Sequence, residues 1–302
     1  MISALQNGVS PIVANVACII FAFIYVAGFY LFRNENNAKL SRNHPVVIRN
    51  RIKAVAFASI VAPVLVWFII PFHYFNYSIF QILGLSLPNS VPELLALKGP
   101  VLLTAILFLG PLVQLYFERS LPLQSNFDFE RDVKDVFFSL LGQRNYVVAP
   151  VTEEFVFRAC MIAVLYHAGL STTYLVFISP MYFGLAHLHH AWENYYQWGA
   201  NIKALKLVVL SSSFQFCYTT IFGWYVSFVF LRLGSIWPPI LCHSFCNVMG
   251  FPDISDIQLQ APMKRAVIMC SFVLGIILFC WFLYPFTDPA NVGGSLYWTA
   301  SA

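Results

Sequence analysis

Apolar residues in this chain gather into long blocks separated by short polar stretches. A run of about 18 or more apolar residues reads as a membrane-spanning helix. Eight such runs lie near residues 11–32, 54–72, 100–117, 147–169, 171–188, 207–231, 234–250 and 265–286. The pattern predicts an all-α, polytopic transmembrane helical bundle of about eight spans, with residues 1–302 forming a single integral membrane domain. The third run is short, and the seventh contains Trp237-Pro238-Pro239. Between the second and third, SIFQILGLSL is apolar enough to dip into the bilayer. Within 119–146, DFERDVKDVFFSLLG mixes charged and apolar residues, the pattern of an amphipathic helix lying on the surface. The chain has no internal repeat and no low-complexity tract.

Composition sharpens this picture. The 302 residues are 59% hydrophobic, 17% aromatic and only 10% charged, whereas soluble domains carry about 25% charged residues. A net charge of +4 without a clustered basic face excludes nucleic acid as a partner. The seven cysteines fall in apolar segments without a CxxC pair. They read as small buried hydrophobes, and neither a disulfide framework nor a structural zinc site is expected. MISALQNGVS lacks the basic start of a cleaved signal peptide, so the first run is expected to be a retained span.

Charge placement sets the topology. Arg33, Lys39, Arg42, Arg49, Arg51 and Lys53 occupy the first loop; Arg119, Arg131, Lys134 and Arg144 the third; Lys203 and Lys206 the fifth; Lys264 and Arg265 the seventh. The even-numbered loops hold only Lys98 and Arg232. The odd loops are therefore expected to be cytosolic and both termini lumenal. The sequon Asn76-Tyr77-Ser78 would be lumenal, but it sits too near a span end to be glycosylated.

The fourth run breaks the apolar pattern. It carries Glu153, Glu154 and Arg158, although a charge at the bilayer centre costs about 2.5–3.5 kcal/mol. Glu154 and Arg158 are four apart and can pair on one helix face, which a purely structural ion pair would explain. Glu153 points about 100° away and has no such explanation. The fifth run ends FGLAHLHHAWE, with His187, His189 and His190, and the seventh contains His243 and Asn247 four apart. Topology brings these groups to one cytosol-facing depth. A shielded carboxylate with a raised pKa can act as general base on water. A histidine beside it can orient that water, and a second histidine with an amide N–H can stabilise an oxyanion. Without a nucleophile elbow around Ser244 or Cys246, direct hydrolysis of a carbonyl is the chemistry these groups suit. Two alternatives stay open. Glutamate and histidine also bind zinc, although HExxH and HxxEH are both absent. Intramembrane carboxylates and histidines also make proton relays in transporters, although the repeated halves typical of those proteins are not seen.

Three spaced motifs occur in order: Glu153-Glu154 with Arg158 (EExxxR), Phe183 with His187 (FxxxH), and His243 with Asn247 (HxxxN). Over residues 140–253 the chain resembles the type II CAAX prenyl endopeptidases, the Ras-converting enzymes, in their eukaryotic branch. The resemblance implies a catalytic core at 140–253 with an intramembrane cleft open to the cytosol, in the endoplasmic reticulum membrane. It implies removal of the last three residues from CaaX proteins after prenylation. The partners implied are farnesylated or geranylgeranylated CaaX proteins such as Ras-like small GTPases, together with membrane lipid. It assigns water activation to Glu153 and His187, the oxyanion hole to His243 and Asn247, and support to Glu154 and Arg158. His189 and His190 have no transferable role and are placed at the cytosolic mouth. No cofactor and no metal ligand are expected.

Overall fold

The computed structural model describes residues 8–32, 40–71, 77–252 and 254–298, with the side chain of His190 excepted. Arg33, Lys39 and Asn76, which entered the topology and sequon readings, lie outside the described residues. The regular elements are helices, as the block pattern predicts, and the chain is an all-α polytopic membrane protein. Among the described residues four helices are long and apolar enough to cross a membrane: α1 (Pro11–Leu31), α2 (Pro45–Ile69), α9 (Ile202–Leu233) and α11 (Pro262–Phe286). A fifth arises if the bent pair described next is taken as one span.

That pair, α3 (Gly99–Leu107) and α4 (Leu109–Phe117), occupies the third expected run and bends by 63°. Pro111 supplies the reason. It has no N–H for the carbonyl four residues back, and its ring crowds that carbonyl, so the helix breaks one residue beyond it. The fifth run is divided in the same way. α6 (Thr172–Phe177) stops at Ile178, and α7 (Ser179–Ala186) restarts with Pro180 in its first turn. Pro238 and Pro239 likewise fall in the first turn of α10 (Trp237–Met249), where a missing N–H loses no intrahelical bond. α10 has 13 residues.

The fourth run forms α5, a helix continuous over residues 140–167. Two stretches of it, Gln143–Val148 and Phe155–Cys160, are wound as π-helix. Such widened turns are rare and recur at functional sites. Here they bracket Ala149–Glu154, the stretch that carries both glutamates. α8 (His189–Gln197) follows α7. α9 begins at Asn201, whose Oδ1 accepts from the amides of Lys203 and Ala204 at 2.9 and 3.0 Å. It ends at Gly234, whose φ of 58° is the left-handed cap that glycine adopts without strain. The amphipathic segment is two short pieces, Glu130–Lys134 and Asp135–Phe138, with Phe129 and Phe138 exposed. SIFQILGLSL contributes a single turn, Ile79–Ile82, capped by Ser78, and it buries Ile82 and Leu83.

The chain divides into two compact units. The first holds residues 1–86, 152–236 and 296–302; the second holds 87–151 and 237–295. In the first unit, α1 packs along α2, and a Cβ on Gly28 would lie 3.2 Å from the Cβ of Ala54. Small residues at such crossings let backbones approach closely, which is the main source of helix association in lipid. α7 lies against α9 through Gly184 and Gly223. The core of this unit is the stretch from Val156 to Leu165, buried on every side. In the second unit, α11 packs on α3 and α4, where Gly275 and Gly110 leave room for Ile106 and Phe272. Beyond its first turn, where Lys264 and Arg265 are exposed, α11 shows a mostly apolar exposed surface that includes Val273, Ile277 and Trp281. An exposed surface of that kind is matched by a lipid environment.

Candidate active site

The two glutamates of α5 stand in different surroundings. Glu154 is fully buried, whereas Glu153 is half-buried. The expected pair is present: Arg158 Nε lies 3.1 Å from Glu154 Oε2, with both side chains at 0% exposure. This contact is an ion pair by distance only. None of the guanidinium nitrogens of Arg158 forms an aligned hydrogen bond among the described residues. Its other contact is aromatic, since the guanidinium carbon sits 4.4 Å from the ring centroid of Phe183. A desolvated cation over a ring face is worth about 2 kcal/mol. Gly223 leaves space for the head group, because a Cβ there would come within 3.2 Å of Arg158 Nη2.

Phe183 also receives His187. The two rings meet edge to face at 4.5 Å, and Phe157 closes the other side at 5.0 Å. One ring therefore joins the EExxxR and FxxxH motifs within the first unit. His187 Nδ1 lies 2.9 Å from the carbonyl oxygen of Phe183. A carbonyl only accepts, so Nδ1 carries the proton and the lone pair of the neutral ring is on Nε2. This tautomer can accept a hydrogen bond, or a proton, from water.

Tyr25 contributes a group that the motifs do not announce. It lies buried in α1, with its hydroxyl 2.9 Å from Thr152 Oγ1, next to Glu153 in the chain. Its ring packs against Phe157 at 5.3 Å. The first 130 residues have no recognisable motif, yet they supply this contact. The signal available in sequence was a polar-tipped aromatic within the apolar run FAFIYVAGFY. Its partner stands 127 positions away, beyond the reach of any local pattern. The structure likewise gives Phe183 a defined task, where its motif had marked only the position.

His189 has different neighbours. Its Nδ1 lies 2.7 Å from the carbonyl of Ala186, and its ring packs at 5.5 Å from Phe29. The His190 side chain lies outside the described ones. His243 and Asn247 belong to the second unit, on α10. His243 is buried and Asn247 is exposed. Asn247 Nδ2 donates to the carbonyl of Asn145 at 2.9 Å, and Ser244 Oγ donates to the carbonyl of Tyr146. These bonds fix α10 to the first π-wound stretch of α5. They leave the second N–H of the Asn247 amide for another acceptor. Among the described residues no three His, Cys, Asp or Glu side chains gather as metal ligands would.

Comparison with known proteins follows the same residues. The family model for Rce1-like type II CAAX prenyl endopeptidases matches residues 135–249. CAAX prenyl protease 2 of Homo sapiens is 37% identical over 96% of this chain and 87% of its own length. That of Rattus norvegicus is 34% identical over 92% and 80%. The probable CAAX prenyl protease 2 of Schizosaccharomyces pombe is 31% identical over 90% and 92%. No solved structure matches the chain. The likeness extends almost end to end and includes the helices that carry no motif, so the chain belongs to the Rce1-like family of type II CAAX prenyl endopeptidases.

Proposed function

We propose that the protein is an intramembrane endopeptidase that removes the aaX tripeptide from prenylated CaaX proteins by attack of activated water. Its catalytic core is residues 140–253 of a single integral membrane domain. The substrates are farnesylated or geranylgeranylated proteins such as Ras-like small GTPases. The membrane is that of the endoplasmic reticulum, and the cleft faces the cytosol. A prenyl chain reaches the cleft sideways through lipid, which contributes about 0.8 kcal/mol per buried CH₂.

The observation that carries the reading is the contrast between the glutamates. Glu154 is sealed with Arg158 at 0% exposure, while Glu153 beside it is half-buried and reachable. Glu153 takes a proton from water. His187, with its lone pair on Nε2, aligns that water. The oxygen attacks the carbonyl carbon of the prenylcysteine, and stabilisation of the tetrahedral oxyanion is assigned to His243 and Asn247. On collapse the C–N bond breaks, and Glu153 returns the proton to the departing amine. The products are a prenylcysteine carboxylate and a free tripeptide. The roles of His243 and Asn247 come from the HxxxN motif. No metal is required, because these groups supply a base, an orienting acceptor and oxyanion donors.

The test compares Glu153→Ala with Glu154→Ala at equal folded protein, using a farnesylated CaaX peptide. Glu153→Ala loses roughly 10²–10⁴ in rate. Glu154→Ala loses less kcat per folded molecule but more stability. A deeper catalytic loss in Glu154→Ala would reverse the two roles. Tripeptide release by purified protein, with no solute uptake into proteoliposomes, separates hydrolysis from proton-coupled transport.

A further inference from the structure

Two adjoining faces of α8 do different things. On the first, Arg51 Nη2 donates to both carboxylate oxygens of Glu193, at 3.1 and 3.3 Å, which ties α8 to the start of α2. Four residues earlier on that face, His189 meets the Phe29 ring of α1 at 5.5 Å, and the Arg51 guanidinium lies 5.2 Å from the same ring. The adjoining face carries Leu188, Trp192 and Tyr196, again spaced by four. All three are exposed, the two aromatics at 63% and 55%, so this stripe is not buried by the fold. The Trp192 and Tyr196 rings meet edge to face at 4.9 Å. We propose that α8 is an interfacial anchor, its stripe lying in the headgroup–acyl boundary of the membrane with neutral phospholipid as the partner.

The elements on either side of α8 bring it to that level. The stripe continues backward onto α7 through Leu185 and Met181, both exposed. His187 and Leu188 keep right-handed helical angles and i→i+3 bonds, so only a tight turn separates α7 from α8. α7 packs on α1 and α9, two of the helices long and apolar enough to cross a membrane. Its exposed apolar side therefore shares their lipid surroundings. After residues 198–201 the chain enters α9, whose first two turns expose Lys203 and Lys206 among Ile202, Leu205 and Leu207. Ammonium groups among exposed apolar side chains mark where a span leaves hydrocarbon, because lysine stems lie along the apolar surface while the heads reach water. α8 packs on α9 and joins it at this end.

The residue types suit the boundary. Tryptophan and tyrosine concentrate there because each has an apolar body and a polar N–H or O–H. Glu193, Asn194 and Gln197 make α8 too polar for the hydrocarbon core. Residues 188–198 contain no lysine or arginine, so the helix gains nothing from anionic headgroups and neutral lipid suffices. The anchor bears on the site because α8 starts two residues after His187. With one face held by Arg51 and the next by lipid, α8 fixes the depth at which His187 stands. Trp192 and Tyr196 also border the cavity of about 400 Å³ that Phe29 and Arg51 help to wall. A peptide seated there would compete with lipid for these rings, and the test separates the two.

Photocrosslinking reads the contact without turnover, so it answers even where no prenylated peptide is cleaved. Trp192 and Tyr196 are replaced one at a time by p-benzoylphenylalanine in the full-length protein, in nanodiscs of phosphatidylcholine. Gln197, exposed and about 140° round the helix from Trp192, is the control position. Phosphatidylcholine adducts at 192 and 196 should exceed those at 197 several-fold and persist in high salt. Absence of lipid adducts at both positions overturns the proposal. So does their replacement by adducts of an added prenylated CaaX peptide, which would assign the stripe to substrate. A second measurement needs no bulky probe. Phosphatidylcholine brominated near the headgroup end of its acyl chain should quench the emission that Trp192→Phe removes more strongly than lipid brominated near the chain terminus. Equal or reversed quenching overturns the interfacial placement. For the link to His187, Trp192→Ala combined with Tyr196→Ala should lower kcat several-fold, and phenylalanine at both positions should restore it. An unchanged kcat in an active enzyme overturns that link.

Discussion

Phe183 accepts a guanidinium on one side and an imidazole edge on another, so a single substitution there tests two motifs together. Phe183→Leu keeps an apolar side chain and removes both ring contacts. The expected loss is about 2 kcal/mol of stability, read as a lower unfolding midpoint in detergent. A fall in kcat with KM little changed should accompany it, because His187 loses the ring that orients it. Unchanged stability would mean that Arg158 is held by something other than this ring. The Glu154–Arg158 pair makes a sharper test. Glu154→Gln strands a buried cation and should cost about 3–5 kcal/mol. Glu154→Gln combined with Arg158→Met removes both charges, so its cost should fall well below the sum of the two single changes. A double-mutant cycle of thermal stabilities gives the coupling, and simple additivity would count against a working ion pair.

Helix packing governs the next scale. α7 and α9 approach so closely at Gly223 that a Cβ there would lie 2.5 Å from Pro180 Cβ and 3.2 Å from Arg158 Nη2. A proline ring cannot swing aside, so Gly223→Ala must push the two helices apart. The expected cost is about 1–3 kcal/mol, as for overpacking generally. The same displacement disturbs Arg158, so activity per folded molecule should fall as well. An alanine variant with wild-type stability and rate would show that the helices separate freely. α1 bears on the site through Tyr25, by its ring on Phe157 and its hydroxyl on Thr152. Tyr25→Phe removes the bond to Thr152 and should destabilise by about 1 kcal/mol. Because Thr152 adjoins Glu153, a measurable drop in kcat is expected too, and its absence would confine Tyr25 to packing.

Topology and metal dependence belong to the whole molecule. By the positive-inside rule, the distribution of lysines and arginines leads us to expect residues 33–53 in the cytosol and both termini in the lumen. Single cysteines introduced in that loop should react with a membrane-impermeant reagent in sealed microsomes, and cysteines at either terminus should be protected. Protection of the loop would invert the molecule and turn the cleft away from the cytosol. For metal dependence, prolonged chelation of the purified enzyme should leave turnover unchanged while measured metal falls to background. Activity that falls in proportion to lost metal and returns on its addition would recast His187 and His243 as ligands.

Membrane residence, helical class and the motif positions follow from the sequence alone, because each depends on local composition or on spacing along one helix. A run of apolar residues in lipid must satisfy its own backbone, so the helices follow directly from the block pattern. Glu154 and Arg158 four apart share a face in a regular turn, and they remain in contact although Arg158 sits in a π-wound stretch. Continuity was less readable. Pro111 and Pro180 lie inside apolar runs that hydropathy counts as unbroken, and only the backbone geometry turns them into breaks. Contacts between distant segments were not readable at all. Tyr25 with Thr152, Phe29 with Arg51 and Arg51 with Glu193 join residues remote in the chain, each from a segment whose own pattern says only that it is apolar or charged. Tertiary packing selects such partners, because in lipid the choice of neighbour rests on close fit and paired polar groups rather than on hydrophobicity.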